Sequence, residues 1–367
     1  MSGAMQAVAQ TTDAVLLAGL ALALLLGYVL HRTHFCTMGA ISDWLLMGST
    51  DRARQWAVAV AVAVLGFGVL AWADLISPLN TIYNTPRLPW LSYGLGGLLF
   101  GIGMVLASGC LSKTLVRLGA GNLKALVVVV VAAIAALATL RGALAVLRVR
   151  ALEPVSLDWG PGPFLSQWGM RWLSLDASSA SLLAALAVSA LLALWIWRGG
   201  AALSMKAWLG GALIGLVTVA LWAVSGIVGW VPEHPETLES VFVGTPSGRM
   251  EAMSFTAPLG YWLDALLYFS DGSKRLFLGM VMVPGVMIGA GVSAWLEGSF
   301  RWEGFADLQD LVRHLVGAVL MGTGGVMAMG CTIGQGLSGV STLHLGSLVA
   351  VLGIVAGAVL ALRWQMR

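Results

Sequence analysis

The chain has 367 residues, of which 59% are hydrophobic and only 10% are charged, and its formal net charge is +3. Soluble domains carry about 25% charged residues, so a chain this poor in charge cannot cover the surface of a soluble protein. The composition therefore predicts a polytopic membrane protein, and the small net charge gives no reason to expect a nucleic-acid partner.

Apolar runs of about 20 residues, the length that crosses a lipid bilayer, recur along the chain. These uninterrupted runs favour helices over a β-barrel, whose strands alternate apolar and polar residues. We therefore predict an all-α polytopic membrane protein with about nine transmembrane helices and additional short re-entrant or broken helices. The predicted spans are 14–30, 56–73, 92–109, 123–142, 180–197, 207–229, 276–296, 312–330 and 345–362.

Lysine and arginine in the connecting segments predict the orientation, because cytoplasmic loops carry an excess of both. If the C-terminus is cytoplasmic, the short cytoplasmic connections hold most of these residues, whereas the longer outside connections hold fewer. We therefore expect a multi-pass protein of the bacterial inner membrane with a periplasmic N-terminus and a cytoplasmic C-terminus. Residues 1–13 contain no lysine or arginine, so a cleaved signal peptide is not expected.

One pattern, Gly-x-Gly-x-x-x-Ala-x-Gly-Cys, occurs twice, beginning at Gly101 and at Gly322, which lie 221 positions apart. The two spans that carry it would cross the membrane in opposite directions, so the duplication predicts pseudo-two-fold inverted repeats. The expected domains are a first membrane repeat (1–142), an extracytoplasmic segment with a linking helix (143–206), and a second membrane repeat (207–367) with an extracytoplasmic insertion at about 230–275.

The three cysteines, Cys36, Cys110 and Cys331, each precede a predicted short helix. We expect Gly109 and Gly330, which stand before the second and third cysteines, to end the preceding helix in a left-handed turn. The next helix would begin with unpaired backbone N–H groups and the positive end of its dipole, which together bind anions. A polarizable thiol beside such N–H groups suits a sulfur-containing anion. The short helices are predicted at 37–48, 111–119 and 332–341.

The predicted substrate path therefore runs along the three thiols. Lys113 and Arg117 are candidates for a cytoplasmic exit or for docking of an acidic partner, although membrane anchoring explains them equally well. Buried packing is the competing explanation of the cysteines. No catalytic, metal-binding or ATP-binding motif occurs, so we expect neither an enzyme nor a cofactor. The groups predicted to contact substrate beside the thiols are Ser108, Gly109, Gly330, Thr332, Ile333, Gly334 and Gln335.

Three motifs carry a resemblance to a known family: Arg32-x-x-Phe-Cys-x-x-Gly39, Ala-Ser-Gly-Cys at 107–110, and Gly-Cys-Thr-Ile-Gly-Gln-Gly-Leu-Ser-Gly at 330–339. With these motifs the chain resembles the YeeE/YedE family of sulfur-compound transport proteins over about 14–142 and 276–362. The resemblance implies an hourglass-shaped protein that takes up thiosulfate, with the three cysteines handing the anion along a narrow central route by S–H hydrogen bonds. It also implies a separate cytoplasmic partner resembling the sulfur carrier TusA.

The function we predict is inward transport of thiosulfate, and the sequence does not order the three cysteines along the path. One alternative is a transporter of another sulfur or selenium species. A second is a membrane sulfurtransferase in which a cysteine becomes a persulfide, and a third is a scaffold that anchors a sulfur carrier.

Overall fold

The computed structural model describes residues 2–158, 160, 162–199, 203–272 and 274–366, and helices dominate it. The longer helices correspond to the predicted spans, and shorter ones lie between them. The helices are α1 (Ser2–Arg32), α2 (Thr37–Ser42), α3 (Asp51–Trp72), α4 (Trp90–Leu106), α5 (Leu111–Gly119), α6 (Leu123–Leu140), α7 (Ala143–Leu147), α8 (Leu165–Leu173), α9 (Ala177–Arg198), α10 (Met205–Ala223), α11 (Thr256–Leu267), α12 (Leu278–Leu296), α13 (Leu308–Met327) and α14 (Leu345–Gln365).

Eight segments of the described chain are long and apolar enough to cross a membrane, and they contain α1, α3, α4, α6, α9, α10, α12 and α14. This result confirms an all-α polytopic membrane protein. The predicted ninth span, 312–330, forms most of the 20-residue helix α13, but α13 is not among these segments. The reason is that its first turns carry Asp310, Arg313 and His314. By length and hydropathy, eight segments of the described residues therefore qualify as candidate spans, and α13 is a helix of sufficient length whose first turns are less apolar.

Polar side chains cap the starts of several long helices, where the first backbone N–H groups have no partner within the helix. Asn122 accepts a hydrogen bond from the Ala125 N–H at the start of α6. Asp176 does the same for α9, Ser204 for α10 and Asp307 for α13. These caps lie at the ends of apolar runs, so the sequence fixes both the extent and the starting point of these helices.

Helices α4 and α13, which carry the repeated pattern, cross each other in opposite directions through glycines. A Cβ atom on Gly96 would lie 2.7 Å from the Gly324 carbonyl oxygen, and one on Gly103 would lie 2.6 Å from the Gly317 carbonyl oxygen. Gly96 corresponds to Gly317 in the repeat, and Gly103 corresponds to Gly324, so the two contacts are exchanged by a pseudo-two-fold axis. Small residues permit this backbone approach in membranes, where helix association depends on close packing.

The other helix contacts follow the same exchange between the halves. Helix α4 packs along α14, whereas α13 packs along α6. Helix α1 packs along α12, and the corresponding α10 packs along α3. The short helix α5 contacts α12, and the π-helical turn Gly334–Gly339 contacts α3. These contacts in one half thus have counterparts in the other, as the predicted inverted repeats require.

The segments predicted to lie outside the membrane join one another at one end of the helices. Strands β1 (Trp230–Val231) and β2 (Val241–Phe242) form a short antiparallel ribbon. The Ile82 N–H donates to the Met250 carbonyl at 3.1 Å, and the Leu345 N–H at the start of α14 donates to the Pro163 carbonyl at 2.9 Å. The segment around Pro163 and the insertion therefore lie at the end of the bundle at which α14 begins.

Candidate functional site

Helix α4 ends in a Schellman motif just before Cys110. The Gly109 N–H donates to the Met104 carbonyl at 2.8 Å, and the Ser108 N–H donates to the Val105 carbonyl at 3.2 Å. In this motif the left-handed residue directly precedes the residue whose N–H donates to the carbonyl five positions earlier in the chain. Ser108, with φ of 57°, is that residue, so the prediction that Gly109 forms the left-handed turn is wrong by one position.

Helix α13 ends in the same way before Cys331. The Gly330 N–H donates to the Gly325 carbonyl at 2.8 Å, and Met329 takes the left-handed conformation with φ of 54°. The left-handed position predicted for Gly330 is therefore also wrong by one residue. Glycine has a different role here, because a Cβ atom on Gly330 would lie 3.3 Å from the Gln335 backbone nitrogen. It lets the end of one helix approach the start of the next.

Cys36 lies in a turn of the same kind, although no glycine directly precedes it in the sequence. His34 has φ of 51°, and Cys36 follows it by two residues, as Cys110 follows Ser108. Phe35 occupies the position at which the other two turns have glycine. The structure thus gives all three thiols one local setting: a helix end, a left-handed residue, one intervening residue and then the cysteine at the start of a short helix.

Each of the three thiols is buried and lies against the first turn of its own short helix. The Gly39 N–H donates to the Cys36 sulfur at 3.3 Å, and the Gly334 N–H donates to the Cys331 sulfur at 3.4 Å. The Cys110 sulfur lies 3.2 Å from the hydroxyl oxygen of Ser112. The side-chain atoms of these cysteines therefore share the helix start with backbone N–H groups, and Gly334 is one of the residues predicted to contact substrate.

The three cysteines belong to one cluster, because Cys110 lies within electrostatic range of both Cys36 and Cys331. Lys113, one helical turn into α5, interacts with both Cys36 and Cys110. Its ammonium group therefore belongs to the same cluster as two of the thiols, at the end of the protein that the charge distribution assigns to the cytoplasm.

The remaining predicted residues lie at the two edges of this cluster. Ser108 is exposed, and its carbonyl accepts a hydrogen bond of 3.4 Å from the Arg117 guanidinium. Thr332, Ile333 and Gln335 are buried beside Cys331. The Gln335 amide nitrogen donates to the Ala328 carbonyl at 2.5 Å, which ties the end of α13 to the turn after the cysteine. The Thr332 hydroxyl is buried without a hydrogen-bond partner among the described residues.

A fourth helix start approaches the cluster, and the sequence analysis missed it. Phe255 is buried, its backbone interacts with the Cys331 thiol, and it precedes α11. By the two-fold exchange of contacts, α11 is the counterpart of α2, because α11 packs on α6 as α2 packs on α14. The sequence signal was present in Thr256 and Pro258, which favour the first turn of a helix, but no cysteine marked the position.

Further polar groups lie around Lys113 at one end of the cluster. The His31 ring nitrogen lies 2.9 Å from the Ser293 hydroxyl, and Arg32 forms an ion pair with Glu297. Arg52 lies 3.3 Å from the Asp43 carboxylate. In the part of the chain that the structure describes, no group of three or more His, Cys, Asp or Glu side chains could hold a metal ion.

Comparison with known proteins identifies the family. A family model described as sulphur transport matches residues 32–360, so the chain belongs to this family, and the resemblance to YeeE/YedE proteins is confirmed. The chain is 28% identical over 346 residues to the thiosulfate transporter TsuA of Escherichia coli K12, covering 88% of this chain and 87% of that protein. It is also 28% identical over 356 residues to the thiosulfate transporter TsuA of Spirochaeta thermophila, covering 92% and 96%.

Proposed function

We propose that this member of the sulphur transport family takes up thiosulfate across the bacterial inner membrane through a central path lined by Cys36, Cys110 and Cys331. The observation that carries the proposal is the common setting of the three buried thiols, each at the start of a short helix, with Cys110 within electrostatic range of the other two. The choice of thiosulfate among sulfur anions is supported by the names of both relatives.

The proposed order of contacts is Cys331, then Cys110, then Cys36. Cys331 interacts with the backbone of Phe255, which lies within the insertion expected on the periplasmic side, whereas Lys113 lies within electrostatic range of both Cys36 and Cys110. Thiosulfate would accept hydrogen bonds from the thiols and from N–H groups at the helix starts, such as that of Gly334. Because hydrogen bonds alone hold the anion, no covalent intermediate is needed and the protein acts as a transporter rather than an enzyme.

Release would occur past Lys113 and Arg117, with the C-terminus in the cytoplasm and the N-terminus in the periplasm. A cationic exit lowers the local potential for a dianion and draws it out of the thiol cluster. The same surface is the proposed docking site of a TusA-like carrier, whose acidic residues would meet these two side chains. The predicted division into repeats at 1–142 and 207–367, joined through 143–206, belongs to the same proposal.

The test is thiosulfate-dependent growth of a bacterium that lacks its own sulfate and thiosulfate uptake systems. We expect growth with the unaltered chain and none with Cys110→Ser or Cys331→Ser at equal expression. Ala187→Ser is a matched control, because it introduces the same hydroxyl at an exposed position of α9. Full growth of both cysteine variants would contradict the path through the thiols.

A second measurement separates transport from sulfur transfer. Mass spectrometry of the purified protein after exposure to thiosulfate should show an unmodified chain if the anion passes by hydrogen bonding. An added sulfur on any of the three cysteines would instead favour a sulfurtransferase.

A further inference from the structure

A cavity of about 240 Å³ leads from the insertion towards Cys331. One wall is formed by residues 246–254 of the insertion and by the start of α11, and another by the end of α13 up to Gly330, which directly precedes Cys331. The cavity therefore extends to the residue next to Cys331 from the end of the protein that is expected to face the periplasm.

Among the described residues that line this cavity, Arg148 has a basic side chain and Glu251 has an acidic one. Arg148 comes from the π-helical turn Arg148–Leu152 after α7, and one of its terminal nitrogens lies 3.5 Å from Glu153. Its Nε atom is buried and has no hydrogen-bond partner in the described chain. The guanidinium thus retains an unused donor beside a space large enough for a small oxyanion.

Glu251 faces polar but uncharged neighbours. Its carboxylate accepts a hydrogen bond from the Ser247 hydroxyl, and it interacts with the neutral phenols of Tyr83 and Tyr261. The nearest cation along the chain, Arg249, donates to the Asn84 carbonyl at 2.6 Å. Burial raises the pKa of Glu251 to about 7, because the loss of hydration outweighs the hydrogen bond from Ser247.

We infer that this cavity is the outer binding site for the transported oxyanion, that Arg148 holds the anion there, and that Glu251 admits the anion only in its protonated form. The inference rests on the proposed function and adds a site and a control to it. A carboxylate and a dianion in one poorly hydrated cavity repel each other strongly. A protonated carboxyl group removes that repulsion and supplies an O–H donor to the anion.

The sign of the pH dependence follows from the same contacts. Below pH 7 Glu251 is protonated and adds no negative charge beside the ion pair of Arg148 and Glu153, so the anion binds to the guanidinium. Above pH 7 the Glu251 carboxylate adds a negative charge to the cavity, and the anion is excluded by repulsion. A bound anion therefore raises the pKa of Glu251, because anion binding favours the protonated carboxyl group and protonation favours anion binding.

The first experiment measures thiosulfate uptake into proteoliposomes between pH 5.5 and 8.5, with equal pH on both sides. Uptake by the unaltered protein should be constant below pH 7 and fall by about tenfold per pH unit well above it, as required for a single essential proton. Glu251→Gln keeps the hydrogen bond to Ser247 and should make uptake independent of pH. Glu236→Gln, at an exposed position of the same insertion, is the control and should leave the pH profile unchanged.

Substitution of the cation tests the other half of the inference. Arg148→Gln should raise the thiosulfate concentration needed for half-maximal uptake at least tenfold at pH 6, whereas Arg148→Lys should restore most of the affinity. An unaltered pH profile in Glu251→Gln, or an unaltered half-saturating concentration in Arg148→Gln, would overturn the inference while leaving thiosulfate transport intact.

A readout that does not depend on transport separates the two proposals. Infrared difference spectra of the purified protein, with Glu251→Gln as the reference, should show one carboxylic acid that titrates near pH 7 and whose pKa rises when thiosulfate is added. If the unaltered protein takes up no thiosulfate but this titration and its shift are present, the outer site stands and the proposed function fails. If the carboxyl group titrates near pH 4, or if its pKa does not change when thiosulfate is added, the outer site is refuted.

Discussion

The two copies of the repeated element have the same backbone but different side chains. In both, a helix ends in a Schellman motif at Ser108 or Met329, and a cysteine starts the next helix two residues later. After Cys110 the short helix carries Lys113 and Arg117, whereas the turn after Cys331 carries no charge, and Gly334 occupies the position of Lys113.

The two copies share the backbone that the duplication provides, and they differ in the charges of their side chains. The duplicated backbone provides two helix starts with a thiol, facing each other across the glycine crossing of α4 and α13. In the proposed path, the unmatched side chains make one end cationic and leave the other end apolar. We propose that this asymmetric charge distribution on a symmetric framework gives the anion a direction of release, which two identical elements could not provide.

The largest expected effect comes from breaking the symmetric crossing itself. Gly103→Ala and Gly324→Ala each place a Cβ atom less than 3.0 Å from backbone of the opposite helix. Each should lower the free energy of unfolding by about 1–3 kcal/mol, the usual cost of overpacking. The midpoint of thermal unfolding of the purified protein measures this loss. Gly304→Ala, where a Cβ atom would meet nothing within 4 Å, is the control. Unequal losses in the two glycine variants would argue against the two-fold crossing.

The next effect concerns the thiol that has no counterpart. Cys36 corresponds to Phe255 in the other half, so the path is proposed to contain three thiols rather than four. Serine is a good helix N-cap, and Cys36→Ser should leave the unfolding midpoint unchanged. Thiosulfate uptake should nevertheless fall about tenfold, as expected for the loss of about 1.4 kcal/mol of hydrogen bonding. Normal uptake by this variant would remove Cys36 from the path.

A smaller effect is expected from the charge that distinguishes the two elements. Lys113→Gln should slow uptake about fivefold, corresponding to roughly 1 kcal/mol of electrostatic interaction near a protein surface. Lys113→Arg should retain the unaltered rate. Lys206→Gln removes an exposed positive charge on the same side and serves as the control. Uptake measured at low and high salt should converge for Lys113→Gln and the unaltered protein, because salt screens this interaction.

The smallest effect involves Thr332, whose hydroxyl is buried without a partner in the described structure. Thr332→Val should leave the free energy of unfolding unchanged within about 0.5 kcal/mol or raise it, since no hydrogen bond is lost. Uptake should fall about twofold if the hydroxyl donates to the anion. In contrast, Thr342→Val removes a 2.8 Å bond to the Gly339 carbonyl and should lower stability. Unchanged uptake by Thr332→Val would restrict this residue to packing.

Much of the fold was predictable, because hydropathy and the signals that start a helix depend on residues that are close together in the sequence. The three short helices after the cysteines were placed within a few residues, since a polar or cysteine N-cap and a following apolar face mark each one. The helix predicted at 312–330 is present as α13, but charged residues in its first turns keep it from qualifying as a candidate span. The sequence analysis missed α11, since its start has no cysteine to draw attention to Thr256 and Pro258.

The sequence by itself determined a helical membrane protein, an internal duplication, and three thiols at helix starts. Only the tertiary structure decided that α4 packs along α14 and α13 along α6, that His34, Ser108 and Met329 carry the left-handed turns, and that Arg148 and Glu251 share one cavity. Lipid supplies no hydrophobic force between helices, so the pairing depends on the shapes of small residues on segments far apart in the chain. Those shapes become complementary only when the two halves meet.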